Sequence, residues 1–198
     1  MTLVATSAGK AYVDQPSMKP MIARISLAVL CVAGICWLGG VNIRAVIGFD
    51  LLQMGTLDFR PNVHPYVERT VFSLIAQSSL VVDIAYLVVW ASGLVFLKTT
   101  SLSLKENGWL LMSAILFYLF TPVEVYTMVL DAKMWLLDHV GSNDLVEFRK
   151  LFIHRLAALA GVPMIALLSY YSIVCLAVFQ PMKTLPISGE TTPGCLPS

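Results

Sequence analysis

Two acids, Asp83 and Glu124, stand inside long apolar runs, where an unpaired ionised carboxylate costs at least ~2.5 to 3.5 kcal/mol. Such a group is tolerated when a cation neutralises it or when it holds a proton or ion. Counting along helices from one face brings the two acids to the same level, since Asp83 lies 14 residues from Leu97 and Glu124 lies 15 from Trp109. Arg44 falls about five residues, ~7 Å, nearer the opposite face, within reach of its long side chain. The pattern predicts one shared site in which Arg44 pairs one carboxylate, while the other, poorly solvated and repelled by the first, holds a proton or binds a cation. The competing expectation is an ion-paired strut that only locks three helices together.

Neighbouring polar residues extend this site. Asp131 follows Glu124 by seven residues and is nearly in line with it on a helix, with Thr121 close by. Ser79 and Tyr86 share the helical face of Asp83. A stripe of this kind gives protons or water a route to the acids; the same hydroxyls also suit hydrogen bonds between packed helices. Pro122 and Pro163 lack an amide donor, which leaves the carbonyls of Tyr118 and Leu159 without their usual helical partner and open to a hard cation or a water. His154 and Arg155 are expected to form a charged interfacial collar facing Asp131.

The elements that must position these residues are four apolar runs, about 25–48, 71–97, 109–130 and 156–179, each at or beyond the ~18 to 20 residues that cross hydrocarbon. Of the whole chain, 58% is hydrophobic and 13% charged, against roughly 25% charged in soluble domains. The expected fold is all-α: a polytopic membrane protein with an antiparallel four-helix transmembrane bundle, up-down-up-down. A polar segment 1–20 precedes the transmembrane domain at 21–180, and a disordered tail follows at 181–198, where Pro186, Gly189, Pro193 and Gly194 interrupt any periodicity.

Helices three and four are expected to run past the membrane as one hairpin of about 31 and 37 residues, ~46 and ~55 Å long. Gly141 is a good stop, and Ser142, Asn143 and Asp144 offer caps, with Glu147 three residues after Asp144. Pro65 suits the first turn of helix two. Gly34, Gly39, Gly40, Gly48 and the Ala157-x-x-x-Gly161 motif suit close helix approach. Both termini share one face (side A) with the link 98–108, and the projecting hairpin lies on the other (side B). The 13 Lys and Arg divide almost evenly between them. Side A is assigned to the cytoplasm of the cell membrane because its basic residues are less mixed with acids.

Several function classes fit poorly. A net charge of +1 without a basic cluster argues against nucleic acid. The absence of a G-x-S-x-G elbow, a Walker loop and H-E-x-x-H weighs against an enzyme. Of three histidines only His154 is near a span, so a two-imidazole haem is disfavoured; no cofactor is expected, and a haem- or metal-binding redox protein is the least favoured alternative. The remaining alternative is a non-catalytic subunit that docks a membrane-protein partner, or a second copy of itself, through Trp135, Leu136, Phe148 and Phe152 of the hairpin. Cys31, Cys36 and Cys175 read as small buried hydrophobes.

Overall fold

The computed structural model describes residues 18–140, 144–157 and 161–182, and within them the regular structure is helical. The elements are α1 (Met18–Asp50), α2 (Pro65–Thr99), α3 (Gly108–Leu119), α4 (Thr121–His139), α5 (Leu145–Leu156) and α6 (Val162–Phe179). Four segments are long and apolar enough to cross a membrane: Pro20–Asp50, Pro65–Thr99, Gly108–His139 and Val162–Phe179. The expected stop at Gly141, the caps Ser142 and Asn143, the N-terminal segment up to residue 17 and the tail from 183 lie outside the described residues.

Local chemistry explains the starts. Pro65 opens α2, and the His64 side chain accepts the Tyr66 amide at 3.2 Å. Asp144 accepts the Val146 amide at 2.9 Å and opens α5. The third span is interrupted once, at Phe120, because Pro122 cannot supply the amide that Tyr118 would need to continue the helix. Instead the amides of Val123 and Glu124 both bond the Phe120 carbonyl, at 3.0 and 3.1 Å, and α4 begins afresh.

The expectation of one 37-residue fourth helix is corrected, since α5 ends at Leu156 and α6 starts at Val162. Gly161 is left-handed at φ 87°, a conformation that stops an α-helix, and Pro163 occupies the first turn of α6. Gly161 is therefore a helix start and not part of a packing motif.

Two apolar clusters hold the helices. In the first, Leu51 and Leu52 beyond α1 meet Phe72 of α2, Met134 of α4, and Phe148 and Phe152 of α5. In the second, Trp37 of α1 meets Val82, Tyr86 and Val89 of α2 and Ala166 and Tyr170 of α6. The cysteine expectation fails: Cys31, Cys36 and Cys175 are exposed on the outer faces of α1 and α6.

The glycine expectation divides. A Cβ on Gly48 would lie 2.8 Å from the ring of buried Phe152, whereas one on Gly34 would meet nothing within 4 Å. Gly48→Ala is expected to destabilise by about 1 to 3 kcal/mol through overpacking. Gly34→Ala should instead stabilise by up to ~1 kcal/mol through helix propensity alone. Unfolding in detergent checks the opposite signs.

Candidate functional site

Three helical faces converge on Asp131. The buried stripe of α2 recurs at Phe72, Ile75, Ser79, Val82, Tyr86 and Val89, so Asp83 sits between Ser79 and Tyr86 at its edge. On α4, Glu124, Asp131 and Asp138 recur every seven residues, which keeps them nearly in line over ~21 Å. Arg44 comes from α1, and Arg155 from the last turn of α5.

Asp131, 1% exposed, accepts four guanidinium N–H bonds. Arg44 donates through Nη1 at 3.2 Å and Nη2 at 2.8 Å. Arg155 donates through Nε at 2.6 Å and Nη2 at 2.9 Å. Arg44 Nη2 also donates to Ser79 Oγ at 2.8 Å, and Ser79 in turn donates to the Ile75 carbonyl at 2.9 Å. Both oxygens of one carboxylate are thereby gripped by two forks, the geometry that favours arginine over lysine.

Arg44 thus pairs with Asp131 and not with Asp83 or Glu124. Those two acids border the same cluster. Asp83, half-buried, lies in the electrostatic field of Asp131, Arg44, Arg155 and Glu124. Glu124, also half-buried, feels Arg155 and Asp131 and faces the hydroxyl of Tyr170. Tyr170 itself is 3% exposed, and its hydroxyl is buried and outside hydrogen-bond geometry with any described residue.

The supporting groups divide. Tyr86 donates to Thr121 Oγ1 at 3.4 Å, and Tyr118 donates to the Trp90 carbonyl at 3.3 Å. The Tyr118 carbonyl accepts the Phe120 amide and is not free. Leu159 lies outside the described residues. His154 shares a hydrogen bond of 2.8 Å with Tyr126 while Arg155 faces Asp131, so the two collar residues serve different partners.

Sequence reasoning missed Tyr170, which sits in an apolar helix with no local signal. It also missed a second tier of ion pairs. Asp138 pairs with Arg69 at 2.8 Å and accepts from Ser73 at 3.0 Å, while buried Glu68 takes both Arg149 Nε and Nη2, at 2.5 and 2.6 Å. The heptad spacing from Glu124 through Asp131 was the available signal for Asp138.

The histidines have separate roles, His64 as a cap, His139 stacked on Trp135, and His154 bonded to Tyr126. Among the described residues no three His, Cys, Asp or Glu side chains converge as a metal site. Phe148 and Phe152, assigned above to a docking face, are instead buried in the chain's own core. No protein-family model matches this chain, and neither a curated protein nor a solved structure is significantly similar to it.

Proposed function

We propose that the chain is a small integral membrane protein of the cell membrane whose four spans pack as an antiparallel bundle around a site that binds or passes a proton or cation. The α6 span, 18 residues, is ~27 Å long, close to the ~30 Å of the hydrocarbon core. Tyr170 lies eight residues into it, which puts Glu124 near mid-membrane. Asp131 is seven residues, ~10 Å, nearer side B. The Asp138–Arg69 and Glu68–Arg149 pairs then fall beyond the hydrocarbon, where the ends of α2 and α4 project together with α5.

One observation carries the reading: Asp131 engages both guanidiniums, yet two further acids share their field. Two arginines and three ionised carboxylates leave one negative charge in excess. In low dielectric that excess is untenable, so the cluster takes up one positive charge. A strut would be neutral with Asp131 and one further acid; the third carboxylate is the excess.

Asp83→Asn and Glu124→Gln are expected to abolish uptake of a proton or cation by the purified protein, while each shifts unfolding by less than about 1 kcal/mol, as for substitutions that leave no buried charge unpaired. Uptake measured in detergent, beside thermal unfolding, checks this. Loss of fold in both variants, with binding intact in whatever remains folded, returns the cluster to the role of a strut. A docking subunit is the second reading, favoured by Leu136, Val140 and Val146, which are exposed where α4 turns into α5.

A further inference from the structure

We infer that the species taken up is a single proton shared between Asp83 and Glu124, and not a metal cation. The inference rests on the reading above and narrows its ligand.

Ligand chemistry is the first argument. A bare alkali or alkaline-earth ion needs about six oxygen acceptors. Around Glu124 the backbone carbonyls already accept hydrogen bonds: the Phe120 carbonyl from two amides, the Tyr118 carbonyl from the Phe120 amide, and the Glu124 carbonyl from Thr127 Oγ1 at 2.9 Å. Beside them stands the Tyr170 hydroxyl, buried and facing the Glu124 carboxylate. A hydroxyl rotates, so it donates to an ionised carboxylate and accepts from a protonated one. It therefore serves a group that changes protonation.

Space and charge agree. Trp37 packs at 4.7 Å on Tyr170 and 5.1 Å on Tyr86, with Phe117 at 5.8 Å from both tyrosines and Phe120 at 6.3 Å from Tyr170. These rings put carbon rather than oxygen beside the two tyrosines, a poor coordination shell for a hard cation. A metal cation would also sit in the field of two guanidiniums, whose forks are fixed on Asp131. A proton resides on the carboxylate itself and needs neither shell nor cavity.

The groups that face the two acids are Arg44 from α1, Tyr86 from α2, Asp131 from α4, Arg155 from α5 and Tyr170 from α6. Because the excess is one charge, losing either acid removes the need for the proton. That mutual dependence separates a shared proton from two independent acids.

The experiment is infrared difference spectroscopy of the full chain in mild detergent, following the protonated carboxyl C=O band against pH at constant ionic strength in potassium, then in sodium, then with calcium added. Above about pH 6, where exposed carboxylates are ionised, one protonated carboxyl per chain is expected, lost as pH rises and indifferent to the cation, and falling from one to zero in Asp83→Asn and equally in Glu124→Gln. Tyr170→Phe, which only removes a hydroxyl, should keep the proton but shift the band. A band displaced by sodium or calcium at fixed pH overturns the proton and leaves ion binding at the site standing. A band that survives Asp83→Asn keeps the proton on Glu124 and overturns the sharing. A chain with no protonated carboxyl above about pH 6, where exposed carboxylates are ionised, and no bound cation overturns both this inference and the function proposed above.

Discussion

Asp131→Asn should destabilise the protein by about 3 to 5 kcal/mol, the range for removing one partner of a buried ion pair. The substitution keeps the shape of the side chain but replaces one acceptor oxygen by a donor amide. Two guanidiniums then share one remaining acceptor oxygen and no counter-charge: each loses one of its two hydrogen bonds to residue 131 and meets a donor amide instead, with Arg44 retaining Ser79. Arg44 is 6% exposed and cannot turn to water without opening the contact of α1 with α2. Thermal or denaturant unfolding in detergent reads the effect, and a loss under about 1 kcal/mol would sink this account of the cluster. A control sharpens it. Arg44→Met, Asp131→Leu and Arg155→Met together leave no unpaired charge from this trio and should recover most of the lost stability, as replacement of buried ionic triads by apolar residues does elsewhere.

Phe72→Ala is the second large effect, expected at about 3 to 5 kcal/mol for a fully buried phenyl ring. Phe72 is 0% exposed and lies between Phe59, Phe148 and Phe152, with ring centroids at 6.0, 5.8 and 5.4 Å. It holds the Phe148 and Phe152 face of α5 and the link 51–64 against α2, beside the Glu68–Arg149 pair. The cavity cannot collapse easily, because Phe152 is already pressed against Gly48. Loosening α5 also loosens Arg155, three residues beyond Phe152. Limited proteolysis should therefore cut faster between α4 and α5 in Phe72→Ala, while Phe72→Leu stays close to the parent. Equal cleavage in the two variants would show that α5 is held from elsewhere.

Much of the architecture is legible in the chain because it depends on local, additive properties. Four apolar runs of span length require only that neighbouring residues avoid water, and the four candidate membrane segments among the described residues overlap them, the fourth shortened to Val162–Phe179. Pro65 and Asp144 mark helix starts through their own backbone and side-chain chemistry, and the structure uses both. The in-line placement of Glu124 and Asp131 follows from the helical period alone.

The fourth helix was legible only in part. Gly161 and Pro163 are strong punctuation, yet within an apolar run each is compatible with a continuous, kinked helix. α5 ends at Leu156, and the left-handed Gly161 opens α6.

Sequence by itself determined the helical class, the span-length segments and the set of ionisable residues that share faces of α2 and α4. Tertiary structure decided who meets whom: Arg44 with Asp131 rather than with Asp83 or Glu124, Arg155 as a second fork on the same carboxylate, and Tyr170 opposite Glu124. The physical reason is geometric. A shift of one residue along a helix moves a side chain by ~1.5 Å and turns it by roughly 100°, so partners across helices depend on offsets and rotations that only the packing of Trp37, Phe72, Phe152 and their neighbours establishes.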